Sequence, residues 1–134
     1  KSPKLPSRWF FAIDSMQYED LDAMISFAER NLNLHAIASG PAEDLGIGQG
    51  YREHTCLDIV LQKLGQYPGK GWELIETSLL SPVVRNRVRA LEVLEKWKGQ
   101  ERGWMDYMDR ALMLALRREP DGEVEGKIKE ILSV

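Results

Sequence analysis

Apolar residues recur three and four positions apart in six windows of this chain, the spacing of a helix with one face turned inward. Leu21, Met24, Ile25, Ala28 and Leu32 predict a first helix over residues 16–33. Asp14 and Ser15 serve as its N-cap, and Glu19, Asp20 and Asp22 place negative charge at its start. Leu57, Val60, Leu61 and Leu64 predict a second over 51–66. Leu74, Ile75, Leu79 and Leu80 predict a short third over 72–80. The fourth, over 81–97, opens at Ser81-Pro82 and is apolar around most of its circumference. Met105, Met108, Ala111, Leu112, Ala115 and Leu116 define a fifth over 104–118. Val124, Ile128, Ile131 and Leu132 define a sixth over 124–132. Glycine and proline clusters at 39–41, 65–71, 99–103 and 120–122 separate them.

Two stretches fall outside this pattern. Residues 1–15 read as an N-terminal arm or linker, with prolines at 3 and 6. Within it, Trp9-Phe10-Phe11-Ala12-Ile13 is too short for periodicity to separate a strand from a helical turn. It has no strand partner nearby, so it is expected to pack against helices, against an upstream domain, or against a second copy of the chain. The segment 40–50 carries Gly46, Gly48 and Gly50, but Tyr51 stands where a dinucleotide fingerprint needs its third glycine. A helix rather than a strand precedes it, so a connecting loop is the expectation.

The windows also repeat. Gly71-Trp72 and Gly103-Trp104 each open a helix after a polar turn, 32 residues apart, and residues 56–60 align with 90–94 at an offset of 34. Helices one and two, three and four, and five and six then form three pairs, about the number at which stacked repeats bury a continuous core. Leu79-Leu80-Ser81-Pro82, followed by Arg87, Ala90, Val93 and Leu94, resembles the second half of a HEAT repeat. Ser81 replaces the usual Asp, and Asn86 replaces the valine expected before the Arg. The other two pairs share only period and apolar pattern. The resemblance implies an all-α, αα-superhelical fold, a HEAT-like solenoid of about three helix pairs, and no particular reaction. It also implies that Arg87 pairs with an adjoining repeat. On the helical wheel Arg87 falls inside the apolar arc, where an unpartnered cation is costly. The aligned residue of helix two is Glu53, so an inter-repeat pair between Glu53 and Arg87 is expected.

Composition narrows the function classes. The 134 residues, 43 % hydrophobic and 29 % charged, suit a single globular domain spanning 1–134. Because the chain starts at Lys1 rather than Met, it is expected to be the C-terminal part of a longer protein. A net charge of −3 disfavours nucleic acid as the main partner. One cysteine, Cys56, excludes an internal disulfide, and no apolar run reaches the ~18 residues of a membrane span. A cytoplasmic location and no membrane contact are the corresponding expectations.

Positive charge concentrates on helix four. Residues 81–102 carry six Lys/Arg against three Asp/Glu, whereas residues 1–50 carry four against seven. Arg85, Arg89 and Lys96, with Arg102 nearby, form a strip opposite the apolar arc and are the candidate partner-binding residues. The competing reading pairs them with Glu92 and Glu95 on a solvated face. His54 and Cys56 point to different sides of their helix with no further ligand at useful spacing, so no metal or cofactor is expected. Cys56 reads as a buried thiol. The acidic pairs Asp106/Asp109 and Glu73/Glu76 match ordinary helix N-terminal charge better than acid–base catalysis. The chain therefore reads as a helical scaffold that binds a protein, or another domain of its own parent chain, rather than as an enzyme. The alternative is a HEAT-like nucleic-acid-binding or modifying domain using the basic face of helix 83–97. That alternative would need Arg85, Arg89 and Asp106 to converge with an exposed Trp97.

Overall fold

The structure, a computed structural model, describes residues 5–100 and 103–133. Among these residues every regular element is helical. The α-helices are α1 (Pro6–Asp14), α2 (Leu21–Asn31), α3 (Leu34–Ile37), α4 (Arg52–Leu64), α5 (Trp72–Leu79), α6 (Val84–Gly99), α7 (Asp106–Arg118) and α8 (Gly122–Ser133). One-turn 3-10 helices precede α2 and α4 at Tyr18–Asp20 and Gln49–Tyr51. The sole extended pairing among the described residues is a single parallel bridge between Asp44 and Val83.

Packing follows the apolar stripes. α1 lies on α4, α4 on α6, and α6 on α8; α5 covers α6 and α7 covers α8. Leu57, Val60, Leu61 and Leu64 of α4 meet Ala90, Leu91, Leu94 and Trp97 of α6 in the common core, all 1 % exposed or less. Cys56 lies in the same core at 0 % exposure. The Trp97 indole N–H donates to the Leu64 carbonyl at 2.8 Å, so the largest core side chain also ties α6 to the end of α4.

Several expectations are corrected. The segment assigned to an arm is mostly helix: Pro6 sits at the first helical position, where its missing N–H costs nothing, and the helix runs to Asp14. Trp9 and Ile13, four apart, are buried against α4, whereas Phe10 and Phe11 are exposed. Asp14 is therefore the last residue of α1 rather than a cap of the next helix, and Ser15 donates its hydroxyl back to the Phe11 carbonyl at 3.1 Å. The expected helix over 16–33 is divided. The Asp20 carboxylate accepts from the Gln17 N–H at 3.3 Å and holds a separate turn before α2. Asn33 caps α3, accepting from the Ala36 N–H at 3.2 Å.

Helix α6 starts at Val84, three residues later than the Ser-Pro signal indicated. Ser81 is fully buried, accepts from the Val83 N–H at 3.1 Å and donates to Asn86 Oδ1 at 2.8 Å. The 40–50 loop is anchored to this corner. Gly40 N–H donates to the Leu80 carbonyl at 2.8 Å, Asp44 N–H to the Pro82 carbonyl at 3.1 Å, and Val84 N–H to the Asp44 carbonyl at 3.1 Å. Gly46, at φ +71°, passes so close under Val83 that a Cβ there would lie 2.6 Å from a Val83 methyl carbon.

Candidate functional site

The chemistry-bearing residues of α6 gather along its seam with α4. Arg85 donates through Nε to Asp58 Oδ2, through one terminal nitrogen to the Leu45 carbonyl at 3.2 Å, and through the other to Thr55 Oγ1 at 3.3 Å. Asn86 completes the cluster. Its amide donates to Asp58 Oδ1 at 2.6 Å and to the His54 carbonyl at 2.9 Å. Asp58 is 4 % exposed, so both its oxygens are satisfied by side chains of α6 rather than by water. Burial pushes the Asp58 carboxyl above its ordinary range, against the opposing hydrogen bonds from Arg85 and Asn86.

Two residues of the predicted binding strip are paired within the molecule. Arg85 faces Asp58, and Arg89 donates to Glu92 at 3.0 Å while its Nε is buried without a hydrogen-bond partner. Lys96 is exposed, with its aliphatic stem lying over Gly65. Arg102 lies outside the described residues. Lys98, near the end of α6, is half-buried. It donates to the Ile131 carbonyl of α8 and sits 5.2 Å from the Trp104 ring centre.

The expected pair of Glu53 with Arg87 is not formed. Arg87 is bidentate to Glu119 instead, Nε to Oε1 at 2.8 Å and Nη2 to Oε2 at 2.6 Å, with Nη1 on the Ser81 carbonyl at 3.0 Å. Both side chains are 1 % exposed. Glu53 accepts from the Asn33 N–H at 2.7 Å, tying α4 to the start of α3. The aligned position pointed to α4, but the partner comes from the α7–α8 corner, because Arg87 faces away from the α4 seam that Arg85 and Asn86 occupy.

Other titratable groups among the described residues lie apart from these ties. His54 packs its ring 5.1 Å from that of Tyr51, and its Nδ1 is buried without a hydrogen bond. Burial, reinforced by the Arg85 charge, holds its pKa below the ordinary histidine value. Asp109 accepts from the Trp104 indole at 3.2 Å, and Asp106 is exposed. Glu29 has a raised pKa through burial and the nearby Glu73 charge. No group of three or more His, Cys, Asp or Glu able to hold a metal ion stands together among the described residues. Trp97 is fully buried, so the exposed tryptophan that a base-stacking groove would use is not at that position. No described helix is long and apolar enough to cross a membrane.

Two features lie outside the expectations drawn from the sequence. Asp58 stands between Leu57 and Val60 in the α4 stripe, and a carboxylate there signals a buried partner. The other feature is a groove of about 770 Å³ between α1 and α2, with Trp9, Ile13, Met24 and Phe27 in its wall and Arg8 and Arg30 at its edge. It was not foreseeable while residues 1–15 read as an arm.

Compared with known protein families, curated proteins and solved structures, the chain matches none.

Proposed function

We propose that this chain is a HEAT-like αα-helical scaffold that binds a protein partner, or another domain of its own parent chain. The observation that carries the reading is where its buried polar groups are spent. Asp58 with Arg85 and Asn86 links α4 to α6, Trp97 links α6 to α4, and Arg87 with Glu119 links α6 to the α7–α8 corner. Such ties hold neighbouring helices in register. The succession α4, α6, α8, with α5 and α7 packed outside α6 and α8, suits the second helices of stacked pairs. In a solenoid of that kind the second helices line the binding surface, and Lys96 is the cation of α6 left exposed there.

Site-specific photo-crosslinking tests this. A benzophenone side chain at Lys96 is expected to label one protein, or one segment of the parent chain, at least about tenfold above the same group at exposed Lys129. Uniform or absent labelling removes the reading. Fluorescence anisotropy with a duplex and a single-stranded oligonucleotide addresses the alternative. Saturable binding that weakens steeply with salt and is lost in Lys96→Glu would favour a nucleic-acid-binding domain.

A further inference from the structure

We propose that the groove between α1 and α2 receives an amphipathic helix with acidic flanks from a partner protein. The inference rests on the reading of the chain as a binding scaffold, but not on the α6 strip. Trp9 lies at the base of the groove with its ring 5.4 Å from that of Phe27. Phe27 is 42 % exposed, and Ala12, Met16 and Met24 extend the apolar wall beside it. Helices of nine and eleven residues give the groove a length of about 14–16 Å, matching roughly three turns of a bound helix. Recognition of that kind uses apolar anchors at i, i+3, i+4 and i+7 laid into an apolar channel.

Charge decides the flanks. Across residues 5–50 the only Lys or Arg side chains are Arg8 and Arg30, in a segment otherwise rich in Asp and Glu. Both line this groove, both are exposed, and neither side chain has a hydrogen bond or ion pair among the described residues. The lining also holds one carboxylate, Asp20, which accepts from the Gln17 N–H and keeps its charge, so the two arginines outnumber it. Two free cations beside an apolar floor favour an occupant carrying carboxylates next to its apolar stripe. Docking of a second copy through its α7 fits less well. The exposed apolar face of α7, Met113 and Leu114, is flanked by Arg110, Arg117 and Arg118, which would repel Arg8 and Arg30. A small acyl ligand would leave much of its surface wet in so open a channel, whereas small-molecule sites enclose most of theirs.

The probes are three fluorescein-labelled peptides of about twelve residues. One has a leucine stripe flanked by glutamates, one has lysines in place of the glutamates, and one is a scrambled form of the first. Anisotropy is read against the whole chain at about 0.15 M salt. The acidic peptide is expected to bind with Kd of about 10–100 µM, and the lysine and scrambled peptides about tenfold more weakly or worse. Phe27→Asp weakens the acidic peptide about tenfold. The double variant Arg8→Glu/Arg30→Glu reverses the preference, binding the lysine peptide over the acidic one, a change that loss of folding could not produce. The proposal is overturned if the three peptides bind alike, if none binds up to about 1 mM, or if the charge-reversed protein keeps its acidic preference. It is also overturned if dodecanoate saturates the groove where the peptides do not, or if light scattering finds a dimer that Phe27→Asp dissociates. Crosslinking at position 96 separates this inference from the broader reading: labelling there without peptide binding defeats the groove alone, and peptide binding without labelling defeats the α6 surface alone.

Discussion

Removing the carboxylate of Glu119 is the most direct challenge to the account of how α6 is held. Arg87 is 1 % exposed and spends Nε and Nη2 on Glu119 and Nη1 on the Ser81 carbonyl. In Glu119→Ala a guanidinium is left in the core with one acceptor and no counter-charge. Breaking a buried pair in this way costs about 3–5 kcal/mol, against a total stability of about 5–15 kcal/mol for a domain of this size. The same substitution also removes the acceptor of the Asp121 N–H, 3.2 Å from Oε2, and so loosens the turn into α8. The midpoint of thermal unfolding should fall by about 10–20 °C. Arg87→Met leaves the opposite charge unpaired and should cost a similar amount. The double variant Arg87→Met/Glu119→Leu fills the same space with apolar groups and should recover to within about 2 kcal/mol of the parent. Urea unfolding followed by circular dichroism on all four proteins closes a double-mutant cycle, with a coupling of at least about 2 kcal/mol expected. Single variants that each cost less than about 1 kcal/mol, or costs that simply add in the double variant, would refute the reasoning.

Two further outcomes follow from the α4–α6 corner. Because His54 has a lowered pKa in the fold, the unfolded chain binds more protons; its contribution is complete above the unfolded value near 6.5 and is lost as pH falls through the folded value. His54→Phe keeps the ring beside Tyr51 but cannot titrate, so between neutral and mildly acidic pH it should lose less stability in urea than the parent; equal losses would show that His54 does not contribute. Gly46→Ala should destabilise by about 1–3 kcal/mol, from the positive φ and the Val83 methyls that must move. Hydrogen exchange should quicken at the Asp44 and Val84 amides that tie the loop to α6, and unchanged rates there would count against that anchoring.

What the amino-acid order determined by itself is the run of helices from α4 to α8. The stripes on α4, α5, α6, α7 and α8 are local and periodic, and glycine and proline punctuate them, so position and inward face could be read without neighbours. Boundaries were less secure where side chains compete for the backbone. The Ser81 hydroxyl satisfies the Val83 N–H and delays α6, and Asn33 begins a helix rather than ending one. Arg87 announced that it needed a partner, because a cation in an apolar arc must be paired, but not which one. Its carboxylate lies 32 residues away at the far end of α7, and only the packing of α7 and α8 brings Glu119 against α6. Arg85 and Asn86 share this character: beside each other in the chain, they both turn to Asp58, which α4 carries to them once the two stripes meet. Residues 1–15 went furthest astray because nine residues of helix are barely stable alone, and α1 owes its stability to α4. The groove it forms with α2, with Arg8 and Arg30 at its edge, is therefore a product of tertiary structure, visible only after a segment with little helical signal of its own has docked.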